Sequence, residues 1–512
     1  MMPPVVTILG GGISGLSAAY YLARLAPQIH IRLLEATDHV GGWIKSEKVN
    51  DKVLFEAGPR TLRPKGTGGA ILLDMLKDLH LDQHIVSVPK KHPSAQHRYI
   101  EYKGQINQLP SGLSDLLFNS PPIMDSVMGA IMKEPFQPCP NHVTDESLYD
   151  FIQRRFNSQV ALNLIGALAH GVYAGDCKQL SVQSTFPLLA ACEQKYGSVV
   201  KGMMRGGVSL DTTKELALAA QCEARYPIWQ HEMQNASVIG LQPGLAALPL
   251  ALRRFLMDQP NVDLLTRQPV TLLESSSSSS SSLITTQSGE KYESHHVISA
   301  LPSHILASIL PPSSSLPHLT HNPRVDVAVV NLAYKKDDAN TQLDGFGFLT
   351  PHRDTGSRVP GVLGVIFDSN SMGIQDKDMV RFTAMIGGSD WDLAFGNLKE
   401  EKEVATQALA LAQQAMSTCL GVDASPTYHQ AHVLRQCLPQ YLVGHSKRMQ
   451  ELHLALQQRM CLSVTGASYL GVSVPDCVKH SRLLVEDLLE IGALGNQSSV
   501  VTGLEKTMIS PW

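Results

Sequence analysis

The chain has 512 residues, a formal net charge of −4 and a sequence pI near 6.6, which gives no electrostatic basis for binding nucleic acid. Hydrophobic residues make up 43% of it and charged residues 17%, a composition typical of a globular protein long enough for two or three domains. No uninterrupted apolar run approaches the roughly 18–20 residues that a membrane-spanning helix requires.

The first predicted element is an apolar strand, Val5–Leu9, which runs into a turn of the form Gly-x-Gly-x-x-Gly. The residues of this turn are Gly10, Gly11, Gly12, Ile13, Ser14 and Gly15. A helical stretch follows, and a second strand at 29–34 ends at Glu35, 20 residues after Gly15. Strand, turn, helix, strand and acid together are typical of a dinucleotide-binding βαβ unit, whereas the turn alone would be weak evidence.

Each residue type in this unit has a physical role in holding a dinucleotide. Gly10 permits the tight turn, Gly12 lets the backbone approach a pyrophosphate, and Gly15 lets helix and strand pack closely. The helix that begins near Ile13 directs the positive end of its dipole at the phosphates. Glu35 can accept a hydrogen bond from a ribose hydroxyl. The unit by itself does not separate NAD from FAD.

The residues after this unit favour FAD. A second glycine pair, Gly41 and Gly42, precedes Trp43, and a Glu-Ala-Gly-Pro-Arg run follows at 56–60. This arrangement resembles the flavin amine oxidase and desaturase superfamily, in which both segments line the FAD. A plain turn would explain the glycine pair taken alone, but its place directly after the ribose acid favours the flavin interpretation.

Residues 113–225 are predicted to be mainly helical. The stretch 123–132 is notably apolar, and it fits either a helix of the core or a surface helix that rests in a lipid interface. Periodicity alone favours the core.

Three later segments, at 262–274, 294–302 and 461–469, are predicted to complete the dinucleotide-binding domain, which is therefore discontinuous. Each has the pattern of a short apolar strand bounded by small residues. The run of eight serines at 275–282 predicts a solvated loop.

Residues 323–388 contain runs rich in β-branched side chains, which predict the sheet of a substrate domain. Residues 400–420 predict one long helix, and the tail after Gly495 is predicted to be loose. Because the first strand begins at Val5 and residues 1–4 contain no arginine, we expect little room for a targeting peptide at the N-terminus.

The eight cysteines are spaced irregularly and include no Cys-x-x-Cys pair. This argues against a zinc site, an iron–sulfur cluster or a dithiol redox motif, so we predict no metal site. Reduced structural cysteines are the expectation for a chain of this size. Residues 466–476 of the glycine-rich C-terminal motif contain no cysteine, so any flavin is expected to be bound non-covalently.

Six motifs resemble the protoporphyrinogen oxidase family, and the animal mitochondrial form most closely. They occur in the family's order, and the resemblance extends from Val5 to about Leu488. The motifs lie at 56–60, 92–98, 109–112, 171–181, 328–332 and 466–477.

The resemblance implies an α/β fold with three parts. A discontinuous Rossmann-like FAD-binding domain is expected at 1–95, 228–304 and 430–492. The other expected parts are a β-sheet substrate domain at 96–112 and 305–429, a mainly helical membrane-associating domain at 113–227, and a loose tail at 493–512.

The family oxidises protoporphyrinogen IX to protoporphyrin IX, the penultimate step of haem synthesis. FAD takes six electrons in pairs, and molecular oxygen reoxidises it with release of hydrogen peroxide. The resemblance implies the same activity for this chain. Since the flavin supplies the hydride acceptor, the protein need only bind and orient the substrate, and no catalytic side chain is assigned.

The substrate is large and apolar with two propionates, so its site needs apolar walls and a cation. The resemblance assigns Arg98 to a propionate, which a guanidinium can bind bidentately, although a surface ion pair would explain Arg98 alone. The residues that it places against the macrocycle are Gly171, Phe346, Gly347, Leu349 and Met385. Taken alone, these would fit a core equally well.

The resemblance assigns FAD contacts to several segments. The pyrophosphate and ribose contacts are Gly10, Gly11, Gly12, Ile13, Ser14, Gly15, Glu35 and Ala36. The contacts along the flavin are Trp43, Gly58, Pro59, Arg60 and Thr61, of which Arg60 is expected to organise its turn. The remaining contacts are Val270 on the adenine side and Ala467, Val472, Ser473 and Val474 near the isoalloxazine and ribityl chain.

The resemblance also implies a location and partners. The animal enzymes are homodimers that associate peripherally with the mitochondrial inner membrane on its intermembrane-space side, which would make the stretch 123–132 a docking surface. A neighbouring haem-synthesis enzyme is compatible as a further partner. One departure is His170, which is an arginine in mammalian relatives, and its role is left open.

Two other functions are compatible with the sequence. The chain could be a flavin oxidase of an amine or a polyene, and Tyr441 and Tyr469 suggest an amine cage, although packing explains these two tyrosines better. Arg98 argues against an amine, because an amine site should not present a cation. The chain could also be a non-catalytic FAD carrier in a haem-synthesis complex.

Overall fold

The computed structural model describes residues 3–110, 121–124, 127–139, 145–275, 281–339, 341, 343–373, 378–459, 461–492 and 500–508. The strands are β1 (Val5–Leu9), β2 (His30–Leu34), β3 (Ser46–Val49), β4 (Val53–Glu56), β5 (Ile85–Pro89), β6 (Tyr99–Tyr102), β7 (Gln105–Gln108), β8 (Ala236–Leu241), β9 (Val262–Leu265), β10 (Val270–Ser275), β11 (Ser282–Thr286), β12 (Lys291–Ser294), β13 (His296–Ser299), β14 (Arg324–Lys335), β15 (Gly347–Leu349), β16 (Val362–Ile366), β17 (Met379–Gly387), β18 (Tyr428–Pro439) and β19 (Leu462–Val464).

The α-helices are α1 (Ile13–Leu25), α2 (Gly66–Asp78), α3 (Pro93–Gln96), α4 (Val127–Lys133), α5 (Leu148–Arg155), α6 (Gly166–Tyr173), α7 (Val182–Thr185), α8 (Pro187–Tyr196), α9 (Val199–Met204), α10 (Thr213–Arg225), α11 (Pro227–Gln234), α12 (Ala247–Met257), α13 (Ser303–Ile309), α14 (Asp368–Met372), α15 (Trp391–Phe395), α16 (Glu401–Leu420), α17 (His445–Gln457) and α18 (Val474–Glu490). A π-helical turn, Val160–Ile165, precedes α6, and two short 3-10 turns used below are Glu134–Phe136 and Gly388–Asp390.

A five-stranded parallel sheet forms the first layer, in the order β19-β13-β1-β2-β9. Its central strand β1 buries Val6, Ile8 and Leu9 completely, as a parallel sheet covered on both faces requires. Helix α1 packs against α18 and α12, and its residues from Ser14 to Ala23 are all buried. The predicted α/β fold class is confirmed.

A seven-stranded mixed sheet forms the second part, in the order β18-β14-β17-β16-β15-β6-β7. Helix α16 covers it with Val404, Ala408, Ala412 and Ala415, none of which is exposed. These positions are spaced so that they share one helical face. The sheet predicted at 323–388 and the long helix predicted at 400–420 are both confirmed.

Helices α4 to α9 form a third cluster around a separate apolar core. Ile123, Met124, Val127 and Ala130 are all buried in that core. The core interpretation of the apolar stretch 123–132 is therefore confirmed for these residues. None of the helices in the described ranges combines the length and apolar character needed to cross a bilayer.

The segment predicted as one strand at 262–274 is two strands in different sheets. β9 closes the parallel sheet, whereas β10 pairs with β11 in a three-stranded antiparallel sheet. Arg267 lies between them with a φ of 58°, a left-handed conformation that no strand can continue through. Ser275 and Ser282 pair across β10 and β11, so the serine run begins and ends in strands; residues 276–280 lie outside the described chain.

Packing also differs from the expected domain boundaries. Strand β18 belongs to the seven-stranded sheet, so the boundary expected at residue 430 falls inside a strand. Helix α10, expected in the helical domain, packs on α2, and its Leu218 joins the core of the parallel sheet. Leu306 and Leu316, expected in the substrate domain, pack with Leu9. The three-part division itself stays a prediction.

The prediction of a loose tail is wrong for residues 500–508. Val501, Thr502 and Leu504 are at most 1% exposed, and the amide of Val464 donates to the Thr502 carbonyl over 2.8 Å. The tail thus extends the edge of the parallel sheet beyond β19. The prediction overlooked Val501 and Leu504, whose buried apolar area offsets the conformational entropy lost when the segment becomes ordered. The rest of the expected tail, 493–499 and 509–512, lies outside the described residues.

Candidate functional site

The glycine-rich turn lies between β1 and α1, and two of its glycines face different surroundings. A Cβ on Gly15 would overlap the carbonyl oxygen of Gly10, whereas a Cβ on Gly12 would have no heavy atom within 4 Å. Gly10 has a φ of 99°, which an L side chain rarely adopts. Gly15 is therefore required by the fold itself, and Gly12 leaves open space in front of the backbone.

Helix α1 presents its N-terminus to that open space. Gly12 is the N-cap residue and makes no side-chain cap, and the first turn carries no acidic residue. The amide groups of a helix N-terminus need a partner, and together with the helix dipole they favour an anion. This end of α1 fits a pyrophosphate.

Glu35 closes the other side of the turn at the end of β2. Its carboxylate accepts hydrogen bonds from the Gly11 amide over 2.7 Å and from the amide and hydroxyl of Thr37, each over 2.8 Å. These bonds orient the carboxylate beside the turn, where it can also accept from a ribose hydroxyl. The amide of Gln268 donates to the Glu35 backbone carbonyl over 2.8 Å, which brings the start of β10, with Val270, to the same end of the site.

The second glycine pair lies directly against the first turn. Gly12 and Gly41 form an isolated β-bridge, and a Cβ on Gly42 would lie 3.4 Å from the Gly12 Cα. A Cβ on Gly58 would overlap the Trp43 carbonyl, so Gly58 is needed for the close approach of its segment to Trp43. Trp43 itself is 43% exposed.

Arg60 organises the Gly58 segment, as the sequence predicts. Its guanidinium donates to the Gly58 carbonyl over 3.4 Å and to the Asp368 carboxylate over 3.1 Å. Both side chains are buried. This ion pair joins the Gly58 segment to α14, beside the seven-stranded sheet. The neighbouring Pro59 and Thr61 are half-buried.

The C-terminal motif follows β19 and meets the N-terminus of α1. A Cβ on Gly466 would lie 3.4 Å from the Ser14 hydroxyl. Ser473 caps α18 by accepting from the Asp476 amide over 3.2 Å, and Val474 begins that helix. The N-termini of α1 and α18 thus come together at the carboxyl ends of the parallel strands, where α/β folds bind ligands.

The tyrosines considered for an amine cage are packing residues instead. The Tyr441 hydroxyl donates to the Ala467 carbonyl over 2.5 Å, and its ring stacks on His445 at 4.1 Å. Tyr469 is 2% exposed. Burial raises the pKa of both phenols.

An apolar cavity of about 830 Å³ lies between the seven-stranded sheet and the helical cluster, within the usual size range of small-molecule sites. Its described lining residues are Arg98, Tyr99, Ile100, Leu109, Pro110, Met124, Ile131, Leu164, Ile165, Leu168, Gly171, Val172, Val238, Phe346, Gly347, Phe348, Leu349, Val365 and Ile366. None of these carries a carboxylate or an imidazole.

The cavity adjoins the segment around Gly58 that is predicted to contact the flavin. Val238 lines it, and the next residue, Ile239, exchanges backbone hydrogen bonds of 2.9 and 2.7 Å with Leu62. Leu62 directly follows Thr61. Phe346 also lines the cavity, and its carbonyl accepts from the amide of Phe367, which precedes the Asp368 partner of Arg60. A ligand in the cavity therefore lies next to the predicted flavin contacts.

Arg98 is the one cation among the described lining residues. It donates to the Ser94 carbonyl over 2.7 Å, and its guanidinium carbon lies 5.5 Å from the centre of the Phe346 ring. Burial lowers its pKa, and none of the acidic side chains in the described ranges opposes that effect. The nearby Asp344 instead accepts from His97 over 2.6 Å and from Tyr99 over 3.1 Å. Arg98 is thus an exposed cation at the cavity, suited to a carboxylate of the ligand.

Five of the six predicted substrate contacts line this cavity, namely Arg98, Gly171, Phe346, Gly347 and Leu349. Met385 does not; it packs instead beside Ala174 and Leu363. Sequence reasoning missed the β6 residues, Val238, and the helical wall with Leu164, Leu168 and Val172. The sequence had drawn attention to the runs at 109–112, 123–132 and 171–181, but not to their role in a cavity, because apolar residues of a cavity have the same pattern as those of a core.

A family model described as flavin containing amine oxidoreductase matches residues 13–489. Human protoporphyrinogen oxidase is 34% identical over 94% of this chain and 97% of its own length. The protoporphyrinogen oxidase of Schizosaccharomyces pombe is 32% identical over 96% of this chain and 100% of its own. Cyclohexylamine oxidase from Brevibacterium oxydans, at 15% identity, has the same fold with a TM-score of 0.64, covering 96% of this chain and 99% of that one.

Proposed function

The chain belongs to the protoporphyrinogen oxidases within the flavin-containing amine oxidoreductases, and we propose that it oxidises protoporphyrinogen IX to protoporphyrin IX in haem biosynthesis. It is an FAD-dependent oxidoreductase. The observation that carries the assignment is the apolar cavity with one cation, Arg98, beside the predicted flavin contacts. Its volume and apolar walls suit a tetrapyrrole, and the cation suits a propionate.

Bound FAD supplies the acceptor for three successive two-electron oxidations, and molecular oxygen takes the electrons away as hydrogen peroxide. The chain's own residues bind and orient the substrate. Arg98 holds one propionate, the rings of Phe346 and Phe348 and the side chain of Leu349 enclose the macrocycle, and the bare Cα of Gly171 leaves room for it. Since no carboxylate or imidazole lines the described cavity, we expect no side chain there to act as a general base.

Anaerobic mixing tests this assignment. Purified flavin-loaded protein is mixed with protoporphyrinogen IX while flavin absorbance is followed, and oxygen is then admitted while porphyrin fluorescence and peroxide are measured. Bleaching of the flavin, followed by porphyrin formation above the autoxidation blank, is expected. If the folded, yellow protein is not bleached, the oxidase assignment fails. Benzylamine or putrescine in the same assay serves as the amine control and is expected to leave the flavin oxidised, because Arg98 repels an ammonium group.

We propose further that the protein acts at the mitochondrial inner membrane on its intermembrane-space side, as a homodimer, as its resemblance to the animal enzymes implies. A neighbouring haem-synthesis enzyme would receive the product there. The surface that supports membrane docking includes Met132, at the end of the stretch first expected, and residues beyond it. Met132, Phe136, Met203 and Met204 are 70%, 87%, 51% and 83% exposed.

We call this surface the cationic tip, and it comprises residues 132–136 and 195–205. α4 and α9 both pack on the turn Glu134–Phe136, and Lys201 donates to the Pro135 carbonyl over 3.0 Å. The exposed cations of the tip are Lys133, Lys195, Lys201 and Arg205. Its one acid, Glu134, is fully buried and paired with Arg155. Exposed apolar side chains among cations favour an anionic lipid surface.

A further inference from the structure

Helix α6 forms one wall of the cavity, and His170 lies on the side of that helix away from the cavity. Leu168, Gly171 and Val172 line the cavity, whereas His170 is 3% exposed and absent from the lining. Its Nδ1 lies 3.1 Å from the carbonyl oxygen of Thr350. A carbonyl oxygen only accepts, so Nδ1 carries a proton and the imidazole ties α6 to the residue after Leu349.

The other ring nitrogen faces Asp390 without a hydrogen bond. His170 Nε2 has no partner among the described residues, and it lies 4.0 Å from Asp390 Oδ2. Because Nδ1 holds the single proton of a neutral imidazole, Nε2 then directs a lone pair at a carboxylate. A second proton on His170 would turn this repulsion into a charge-assisted hydrogen bond.

Asp390 belongs to a turn that is already fixed to the end of α6. It ends the turn Gly388–Asp390 and is 5% exposed. The amide of Ser389 donates to the Ala174 carbonyl over 2.8 Å. A bond from Nε2 would need the two side chains to approach by about 1 Å. That approach would draw α6 toward this turn.

The other charged groups around His170 are paired among themselves. His352 lies 6.5 Å from the His170 ring, accepts from the Asp354 amide at Nδ1, and donates from Nε2 to Asp176 over 3.2 Å. Arg353 contacts Asp176 at 2.9 Å and Asp390 at 3.1 Å.

Hydrogen bonds and ion pairs therefore account for these groups, including Asp176 in its close cluster with Cys177 and His352. Burial lowers the pKa of His170, and the Asp390 charge opposes that shift. His170 is left as the group in this network whose second nitrogen is unpaired.

A small movement of α6 matters because the cavity is narrow beside it. A Cβ on Gly171 would lie 2.8 and 2.9 Å from the two Cδ atoms of Leu349 across the cavity. The space at this point is thus set by the separation between α6 and β15. On the side of α6 away from the cavity, His170 connects the same two elements.

We propose that His170 is a positioning residue whose protonation closes its gap to Asp390 and holds α6 in place. The position of α6 in turn sets the width of the cavity that receives the porphyrinogen. This inference rests on the proposed function for the identity of the ligand. The substrate should bind more tightly when the pair is bonded, so KM should rise with pH. The chemistry itself should not change, because His170 does not touch the ligand.

The first test is the pH dependence of KM and kcat between about pH 4.5 and pH 7.5, for the wild type and two variants. The range extends well below the ordinary histidine pKa of about 6.5 because burial lowers the pKa of His170. In the wild type, KM should rise about two- to tenfold with pH, a change equivalent to one net hydrogen bond. The pH dependence of kcat should not follow that of KM. His170→Asn keeps a donor for Thr350 but cannot titrate. Asp390→Asn supplies a donor for the Nε2 lone pair. Both variants should lose the pH dependence of KM. If His170→Asn keeps it, the proposal is overturned.

The second test needs no turnover. Hydrogen exchange of the amides at 166–173, corrected for intrinsic rates, is measured across the same pH range in flavin-loaded protein without porphyrinogen. Protection of α6 should fall as pH rises in the wild type and stay constant in His170→Asn. Constant protection in the wild type would overturn the proposal even if porphyrinogen is oxidised. A pH-dependent α6 in a protein that does not oxidise porphyrinogen would instead reject the proposed function and retain the coupling of His170 to the wall.

Discussion

Gly12 and Gly15 lie three residues apart in one turn, yet they meet different physical constraints. Gly15 touches the Gly10 carbonyl so closely that no side chain fits, whereas Gly12 faces open space. The sequence motif treats both as parts of one pattern. The structure separates Gly15, which the fold needs, from Gly12, which leaves the open space proposed for the cofactor.

Substituting each glycine should therefore have a different effect. Gly12→Ala should fold with wild-type stability and bind FAD about tenfold more weakly or worse, because its methyl group fills the space of the pyrophosphate. Gly15→Ala should lower the free energy of unfolding by about 1–3 kcal/mol through overpacking. Thermal unfolding of the flavin-free proteins and FAD titration separate the two effects. A Gly12→Ala protein with wild-type FAD affinity would contradict the assignment.

Arg98 has no acidic partner in the part of the chain that the structure describes, so its charge is available to the substrate. Arg98→Met should raise KM for protoporphyrinogen IX, by an amount equivalent to about 2–4 kcal/mol of lost binding free energy. Its kcat should change little. Arg98→Lys should recover part of the loss, because it keeps the charge without the bidentate geometry. Steady-state kinetics under a controlled autoxidation blank measure both. An unchanged KM in Arg98→Met would remove the arginine from the site.

Glu56 should make stability depend on pH. Burial raises its pKa to about 7, although Ser46 and the Leu245 amide donate to its carboxylate. The folded state then binds the extra proton, so the free energy of unfolding should fall by roughly 2–4 kcal/mol as pH rises from about 4.5 to 7. Glu56→Gln should flatten this part of the curve. Denaturant titrations at several pH values test it, and parallel curves for the two proteins would refute it.

At the scale of elements, the C-terminal segment 500–508 differs most from its prediction. Its serine-rich approach has the composition of a loose tail, yet Leu504 is fully buried and Lys506 donates over 2.9 Å to Glu215. Lys479 lies at 2.9 Å from the same carboxylate. The segment thus joins α10 and α18 to the edge of the parallel sheet.

Removing the buried side chain of this segment should destabilise the protein. Leu504→Ala should lower the free energy of unfolding by about 2–5 kcal/mol, because it leaves a cavity beside β19. Met508→Ala is the matched control, since Met508 is 51% exposed, and it should change stability by less than about 0.5 kcal/mol. Equal effects in urea unfolding would show that the segment is not packed.

At the scale of the whole molecule, the cationic tip and the cavity are neighbours. Ile131 lines the cavity and Met132 is exposed at the tip, one residue further along α4. The net charge of the chain is −4, so the positive field of the tip is local. A poorly soluble substrate could thus pass from a lipid surface to the cavity by a short route.

Vesicle binding tests this arrangement. The double variant Phe136→Ser, Met204→Ser should co-sediment less with vesicles of about 30% anionic phospholipid, as should Lys201→Glu with Arg205→Glu. Raising the salt concentration should weaken wild-type binding, since the charges of the tip are exposed. Ile228→Ser is the control, because Ile228 is 77% exposed but lies on α11. If the control and the tip variants bind alike, the tip is not the docking surface.

The sequence by itself determined the dinucleotide-binding unit and the α/β class, because glycines at fixed spacings and a strand-ending acid have a similar meaning in any such fold. The flavin interpretation and the enzyme family came from the resemblance of its motifs to known families. It also indicated Arg98, but only through the resemblance. Periodicity sufficed for the long helix α16, whose buried positions recur on one face.

Only the tertiary structure decided which apolar residues line a cavity, because cavity and core side chains have the same hydrophobic pattern. It separated β9 from β10, joined β18 to the large sheet, and showed that Met385 packs away from the cavity. It also brought His170 to within 4.0 Å of Asp390, 220 residues later in the chain. Such long-range contacts depend on how the layers pack against each other, and no local spacing in the sequence records them.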